Sequence, residues 1–400
     1  MLNNIPVLAE NELEKPIPVV EPTTIDVSLI TILPGKSLYS SFGHTALRIV
    51  DRDEKSDLLY NYGQSVHPFD ISFLVNLAFG RMDFMMGVSQ TKEAMLFYKS
   101  VENRKVIEQP IYLDQERASV LKDRLEYDSR PENRQYNYRF FTDNCTTRVW
   151  LLIKDIIIRD DLPLPSTSRS LRQPIEQVLE RKPFLLLFIS TVLGPLADQP
   201  RDLKASLFLP HELMDQMGLF LTHGISGCEI STEGMKPFFE AVQGEPKIAA
   251  VTPMGLMLFL SILSGLLALS SPNTRMFAFV FDTVLFGAIF LVGVCIALLW
   301  GVAGYKEVGM NTNLLWATPV PLIGLLWNRL NSRRLVSTLL FSLESLGAIA
   351  VTIFGGFGNQ TVSIEIRFFC AIIFLRCVSR VHRNYFNPII KTEYGIGAGK

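Results

Sequence analysis

This chain lacks a surplus of either charge. Its 38 lysines and arginines are matched by 39 aspartates and glutamates, giving a formal net charge of -1. The strongly basic face of a nucleic-acid binder is missing, and no nucleic-acid partner is expected. Charge of any kind is thin, at 19% of 400 residues against 48% hydrophobic. Cysteine is scarce. Of five, Cys295, Cys370 and Cys377 fall in an apolar second half, and Cys145 and Cys228 before it. That is no disulfide framework, although a Cys145–Cys228 bridge is conceivable. CxxC pairs and Cys/His clusters are absent, which argues against structural zinc, and no cofactor is implied. The first residues contain no apolar run of the kind that marks a secretory signal.

What is present is unevenly spread. Residues 1–24 are acidic and carry Pro6, Pro16, Pro18 and Pro22, the composition of a disordered arm. Residues 25–225 mix strand-like and helix-like runs. Val27–Ile32, Thr45–Asp51, Leu58–Tyr62, Met82–Val88 and Lys105–Leu113 are rich in β-branched and aromatic residues and predict strands. Ile71–Phe79, Lys92–Ser100, Leu113–Tyr127, Leu171–Leu179 and Pro210–Leu221 have helical spacing, and Phe184–Leu193 is an apolar run too short to span a bilayer. A Gly/Ser-containing linker follows over 226–248.

From 249 to 378 charges thin out, and five apolar stretches approach membrane length: Ala249–Leu269, Met276–Trp300, Asn313–Trp327, Leu335–Phe357 and Thr361–Val378. The third contains Pro319 and Pro321 and is expected to be short or kinked. Basic residues cluster at Arg329, Arg333 and Arg334 and again at Arg376, Arg380, Arg383 and Lys391, leading into a basic tail over 379–400. The positive-inside rule then puts the C-terminus in the cytoplasm and the N-terminal domain outside. For an exported domain without a visible signal, the expectation is a natural start lying upstream, ahead of the alternative of a signal peptide already removed. Asp282 and Glu344, ionisable groups inside apolar stretches, are costly in lipid and mark either function or helix pairing.

Two short segments carry the chemistry. Ser40-Ser41-Phe42-Gly43-His44 ends in a histidine at the start of a strand, and Asp143-Asn144-Cys145-Thr146-Thr147-Arg148 puts a cysteine at the start of a helix capped by Asp143 or Thr142. Helix N-terminal amides and the helix dipole favour a thiolate over a thiol, and the same amides can hold an oxyanion. Asn144 is a candidate side-chain donor to that oxyanion. His44 is the candidate base, shuttling the thiol proton to a leaving group. A third polar group usually orients such a histidine. Asn61 on the next predicted strand is the first candidate, ahead of Asp51 and Asp143. A lone cysteine in a helix is more often a small buried hydrophobe, but the polar company of Cys145 is no core pattern. His67, His211, His223 and His382 fit loop, capping or interfacial positions.

These segments, with Tyr60-Asn61-Tyr62-Gly63, Tyr136-Asn137-Tyr138, Leu193-Gly194-Pro195-Leu196-Ala197-Asp198 and Phe208-Leu209-Pro210, resemble the periplasmic domain of the Lnb-type lipoprotein N-acyltransferases. The tail, with Phe281-Asp282-Thr283 and Asn313-Leu314-Leu315-Trp316, is similar to that family's transmembrane part. The resemblance implies an α+β permuted papain-like (NlpC-type) thiol enzyme domain followed by an all-α transmembrane domain of about five helices, in the bacterial inner membrane. It implies Cys145 and His44 as the catalytic pair. It also implies a phospholipid acyl donor, a thioester on Cys145 and a diacylglyceryl lipoprotein as acceptor. The same dyad would serve a membrane-anchored cysteine peptidase or amidase acting on cell-wall peptide, and a non-enzymatic scaffold with a vestigial pair is the third reading.

Overall fold

The computed structural model describes residues 23–158, 169–201, 207–221, 228–230, 236–239, 251–269, 275–330, 334–356 and 358–393. Most of the expected arm over 1–24 and of the linker over 226–248, together with His223, Arg333 and the residues past 393, lies outside these.

The strand-like runs build one sheet from β1 (Ile25–Ile32), β2 (His44–Asp51), β3 (Ser56–Ser65), β4 (Asp83–Gln90), β5 (Val106–Leu113), β6 (Gln135–Asn137), β7 (Cys228–Ile230) and β8 (Lys236–Phe239). The order is β6-β4-β3-β2-β1-β5-β7, with β8 also on β5 and every pairing antiparallel. Strand alternation puts Leu29, Leu47, Ile49 and Tyr60 on one face and Ile30, Ile32, Ala46 and Leu59 on the other. Helices α3 (Gln115–Ser129), α4 (Cys145–Ile153) and α7 (Pro210–Leu221) cover the first face through Leu121, Trp150 and Leu213. Helix α2 (Thr91–Ser100) covers the second through Met95. Because both faces are covered, the central β1 is buried at consecutive positions from Val27 to Ile32, which an outward-facing sheet would not tolerate.

Helices α1 (Ile71–Ala78), α5 (Arg172–Leu179) and α6 (Pro183–Val192) complete this half. The other half is helical: α8 (Pro253–Ala268), α9 (Arg275–Ala297, prolonged by a π-helical turn to Val302), α10 (Val320–Leu330), α11 (Arg334–Phe354) and α12 (Ile364–Glu393). Two of these, Arg275–Val302 and Arg334–Phe354, are long and apolar enough to cross a membrane. The architecture is therefore an α+β domain followed by a helical domain.

Two sequence expectations change here. The stretch expected to span from Asn313 to Trp327 is instead a 3-10 turn at Thr312–Leu315 followed by the eleven-residue α10. Pro319 biases the residue before it away from helical geometry, so the helix starts only after it. Arg376 and Arg380 were expected in a basic cluster beyond the last span. In the structure α12 runs through both, and they grip Asp282: Arg376 Nε and Nη2 lie 2.6 and 3.1 Å from its two oxygens, and Arg380 Nε lies 2.5 Å from one of them. Arg376 also donates to the Ser264 carbonyl at 3.1 Å. Asp282 and Arg376 are completely buried, so an unpaired charge at either would be costly. The cluster therefore ties α8, α9 and α12 together.

The two halves meet through the 303–319 segment and the turn after α11. Arg139 Nη1 donates to the Ala303 carbonyl (2.6 Å) and the Gly194 amide to the Glu307 carbonyl (2.8 Å). Asn311 Nδ2 bonds the Thr191 and Val192 carbonyls, Asn313 Nδ2 the Thr191 carbonyl, and Gln360 Nε2 the Leu193 carbonyl. Gly194 has to be glycine, because a Cβ there would stand 2.2 Å from the Gly309 oxygen. Asp198 joins both sides: it pairs with Arg172 at 2.6 and 3.0 Å and accepts from the Thr361 amide at 3.2 Å. The carboxylate and guanidinium are almost fully buried. Arg172→Met should therefore strand Asp198 and cost about 3–5 kcal/mol of unfolding free energy in detergent. A loss below about 1 kcal/mol would show that the pair does not hold the junction.

Candidate active site

The start of α4 is fixed by its cap. Asn144 has extended backbone, and its Oδ1 accepts from the Thr146 and Thr147 amides at 2.8 and 2.9 Å. In return the Thr147 hydroxyl accepts from the Asn144 amide at 2.7 Å, closing a capping box. Asn144 Nδ2 donates to the carbonyls of Phe140 (2.6 Å) and Phe208 (2.9 Å). Both side-chain hydrogens are thus engaged, which corrects the expectation of Asn144 as a direct oxyanion donor. The buried amide instead anchors the helix to two loops. Cys145 follows as the first helical residue, half-buried with a free thiol. Of the first three amides of the helix, those of Thr146 and Thr147 serve the cap and that of Cys145 does not.

The histidine strand is placed as tightly. Gly43, at φ +84°, would put a Cβ 2.9 Å from the Ile32 carbonyl oxygen, so the turn into β2 needs glycine. One residue on, the buried hydroxyls of Thr45 and Thr146 meet at 3.1 Å, joining the start of β2 to the start of α4. His44 Nε2 lies 3.1 Å from Asn61 Oδ1, and Asn61 Nδ2 faces the Leu59 carbonyl at 3.5 Å. With Nε2 donating to Asn61, Nδ1 is the nitrogen left to handle a proton.

Between Asn61 and Gln64 the β3–β4 register shifts in a bulge. Gly63 sits in it at φ +99°. A Cβ there would lie 3.3 Å from Cys145 Cβ, 3.6 Å from His44 Cε1 and 3.9 Å from the Tyr136 hydroxyl. Thiol, imidazole and phenol therefore converge on the one position where the strand has no side chain.

Burial alone would push the Cys145 thiol up. The charge and hydrogen bond of His44, with smaller help from the Thr45 amide and the Thr146 hydroxyl, overcome it and hold the thiol below its ordinary value. The neighbouring phenols go the other way. Burial first, then the nearby thiolate, raise Tyr136 and Tyr138, so both stay protonated donors. The Tyr136 hydroxyl is buried with no hydrogen-bond partner among the described residues, while the Arg148 guanidinium covers its ring at 3.7 Å. Arg148 in turn pairs with Asp143 at 2.5 and 3.0 Å.

The two weaker candidates for the residue behind His44 lie elsewhere. Asp143 is engaged by Arg148. Asp51, at the far end of β2, takes Lys122 and the Asp53 and Glu54 amides. His67 lies 3.7 Å from Asp83, and His211 beside Glu212. Sequence reasoning missed Tyr136, Gly63 and the Thr45–Thr146 contact. Tyr136 and Gly63 lay inside quoted motifs but carried no chemical signal of their own. Among the described residues no group of three His, Cys, Asp or Glu could hold a metal.

If His44 depresses the thiol, the rate of Cys145 alkylation plotted against pH should shift to higher pH in His44→Ala, since burial would then act unopposed. An unchanged profile would mean that the two side chains do not interact.

Comparison with protein families finds two matches. Residues 14–177 match the Lnb N-terminal periplasmic domain, and residues 244–386 match the Lnb transmembrane domain. No curated protein and no solved structure matches the chain. With both family domains present in order on one polypeptide, the chain belongs to the Lnb family, as an inner-membrane protein with a periplasmic domain.

Proposed function

We propose that this protein is a lipoprotein N-acyltransferase that works through a Cys145 thioester on a permuted papain-like domain. The observation that carries the reading is the convergence of Cys145, at a helix N-terminus, with His44 around Gly63, on a domain hydrogen-bonded to the segment between the membrane helices. In the first half-reaction His44 Nδ1 takes the thiol proton, and the thiolate attacks the acyl ester carbonyl of a phospholipid. The carbon–oxygen bond breaks, and the glycerol oxygen leaves with the proton from His44. In the second half-reaction the α-amine of a diacylglyceryl-cysteine lipoprotein attacks the thioester. His44 takes its proton, the carbon–sulfur bond breaks, and the sulfur regains a proton from the imidazolium. The sequence is ping-pong covalent catalysis.

Asn61 orients the imidazole through Nε2, and Asn144 positions Cys145 by capping its helix. The oxyanion donors are the Cys145 amide and the Tyr136 hydroxyl, which is buried beside the thiol and otherwise unpartnered. The catalytic domain faces the periplasm, and the C-terminus lies in the cytoplasm.

Expressed in a strain without its own N-acyltransferase, the protein should add the mass of one acyl chain to a reporter lipoprotein. Cys145→Ser should add none, because serine is far less ionised at neutral pH. An unchanged reporter mass with correctly inserted wild-type protein would sink the reading and direct the search to cell-wall peptides. Tyr136→Phe should slow acylation of Cys145 about 100-fold, the effect of losing one oxyanion donor, while alkylation of Cys145 by a small reagent keeps its wild-type rate. Equal slowing of both would make Tyr136 a packing residue.

A further inference from the structure

Helix α1 is turned the wrong way for a water-soluble domain. From Ile71 to Phe79 it carries no charged residue, and none of its side chains is buried. Ile71, Leu74, Val75 and Phe79 follow the spacing of one helical face, and all four are among the exposed large hydrophobic residues, with Ile71 at 79%. This is the stripe that a helix on a soluble domain would bury.

The helix is not a loose excursion. Asp70 caps it by accepting from the Ser72 amide at 2.8 Å. Leu77 packs against the hydrophobic cluster that contains Ile296, Leu299, Ala303 and Tyr305, at the end of the span that α9 begins. Gly80, which follows α1, comes so close to Ala303 that a Cβ would lie 3.0 Å from its Cα and its oxygen. The exposed apolar face is therefore continuous with the end of the Arg275–Val302 span, whose own Trp300 and Val302 are exposed. At its other end α1 reaches the turn that leads into β2. Phe69 stacks on Tyr39 with ring centroids 5.0 Å apart, five residues before His44.

We propose that α1 is embedded in the membrane, its Ile71–Phe79 face among the acyl chains of the leaflet next to the catalytic domain. The occupant follows from that continuity: α1 is fixed to the end of a membrane-crossing helix, at the depth where lipid surrounds it. An embedded α1 lets a phospholipid acyl chain approach the His44 strand along apolar surface instead of through water. The insertion rests only on the membrane placement of the helical domain. Its use in feeding the site rests on the acyl-transfer reading.

The two parts are tested separately. A photoreactive benzophenone side chain is placed at position 74 in the full-length protein, reconstituted in phosphatidylcholine nanodiscs. After illumination, intact mass should show one phospholipid adduct, as at the lipid-facing position 291 of α9, and none at position 120 on the exposed side of α3. No lipid adduct at position 74, or a cross-link to a second chain, would overturn the insertion. For the use of the helix, Val75→Asp should slow acylation of Cys145 from bilayer phospholipid about tenfold and leave acylation by a short-chain soluble ester unchanged. Equal rates from the bilayer donor in variant and wild type would overturn that use. If neither donor acylates the wild-type protein, the acyl-transfer reading fails, and the lipid adduct still decides the insertion.

Discussion

The site depends on how the start of α4 is held against the start of β2. Neither element could do the chemistry alone. A helix N-terminus offers amides and a favourable dipole, and a strand end offers an imidazole, but the two must be fixed within bonding reach of each other. Two buried polar contacts do this. The Thr45–Thr146 hydroxyl pair joins the residues immediately after the histidine and after the cysteine. The Asn144 amide uses all its hydrogen-bonding capacity on the helix and on two flanking loops. A fully satisfied buried polar network costs little and admits few alternatives, since any shift leaves a buried donor unpaired. Trp150, Val149 and Ile153, further along α4, sit in the main sheet core and fix the helix from its other end. The active geometry is thus an outcome of core packing plus one cap.

The second constraint is the junction with the helical domain. Its contacts are largely side-chain donors to buried carbonyls at helix ends: Asn311 and Asn313 to Thr191 and Val192, Gln360 to Leu193, Arg139 to Ala303. Such bonds give orientation more than adhesion. Leu187 of α6 adds adhesion by packing into the core of the helical bundle, and Leu77 of α1 does the same at the end of α9. The sheet domain is therefore seated in a defined pose at one end of the bundle, and Lys182 extends that order to the approach of β2. Its ammonium bonds the carbonyls of Gly35, Lys36 and Ser37 and the hydroxyl of Ser41. Desolvation by burial and the nearby Arg104 lower the pKa of that ammonium, which the three carbonyls nonetheless hold in place.

Local signals in the sequence reached as far as local physics does. The strands β1, β2 and β5 were legible because β-branched runs bounded by turn residues have few other uses, and α4 because a polar cap leads into its apolar run, although the cap is Asn144 and not the expected Asp143 or Thr142. Asn61 was legible as a partner for His44 only through the guess that consecutive strands pair, which β2 and β3 do. Tyr136 was not, because its three-residue strand is placed by pairing with β4 and has no pattern of its own. The bulge at Gly63 depends on a register set by distant residues. The role of Arg376 was hidden for a different reason. Counting positive charges assumes solvated ones, and no count reveals that a carboxylate on another helix, Asp282, neutralises this one. The exposed stripe of α1 has the periodicity of a buried face, and periodicity cannot say which solvent the face meets.

On the proposed chemistry the arrangement around His44 also dictates the order of events. Asn61 holds Nε2, which leaves the imidazole one nitrogen for proton traffic with the thiol. The leaving glycerol oxygen and the incoming amine must therefore present themselves at the same place, and they cannot do so together. The lysophospholipid has to depart before the lipoprotein amine can be deprotonated. Between those events the thioester waits, exposed to whatever reaches Nδ1. Water at that point would make the protein a lipase. Its exclusion falls to the half-buried setting of Cys145, the phenols of Tyr136 and Tyr138 raised by their burial, and the Arg148 guanidinium that closes over the Tyr136 ring. If the thioester is to outlast water there, an acceptor that arrives from the lipid is favoured over one that arrives from solution.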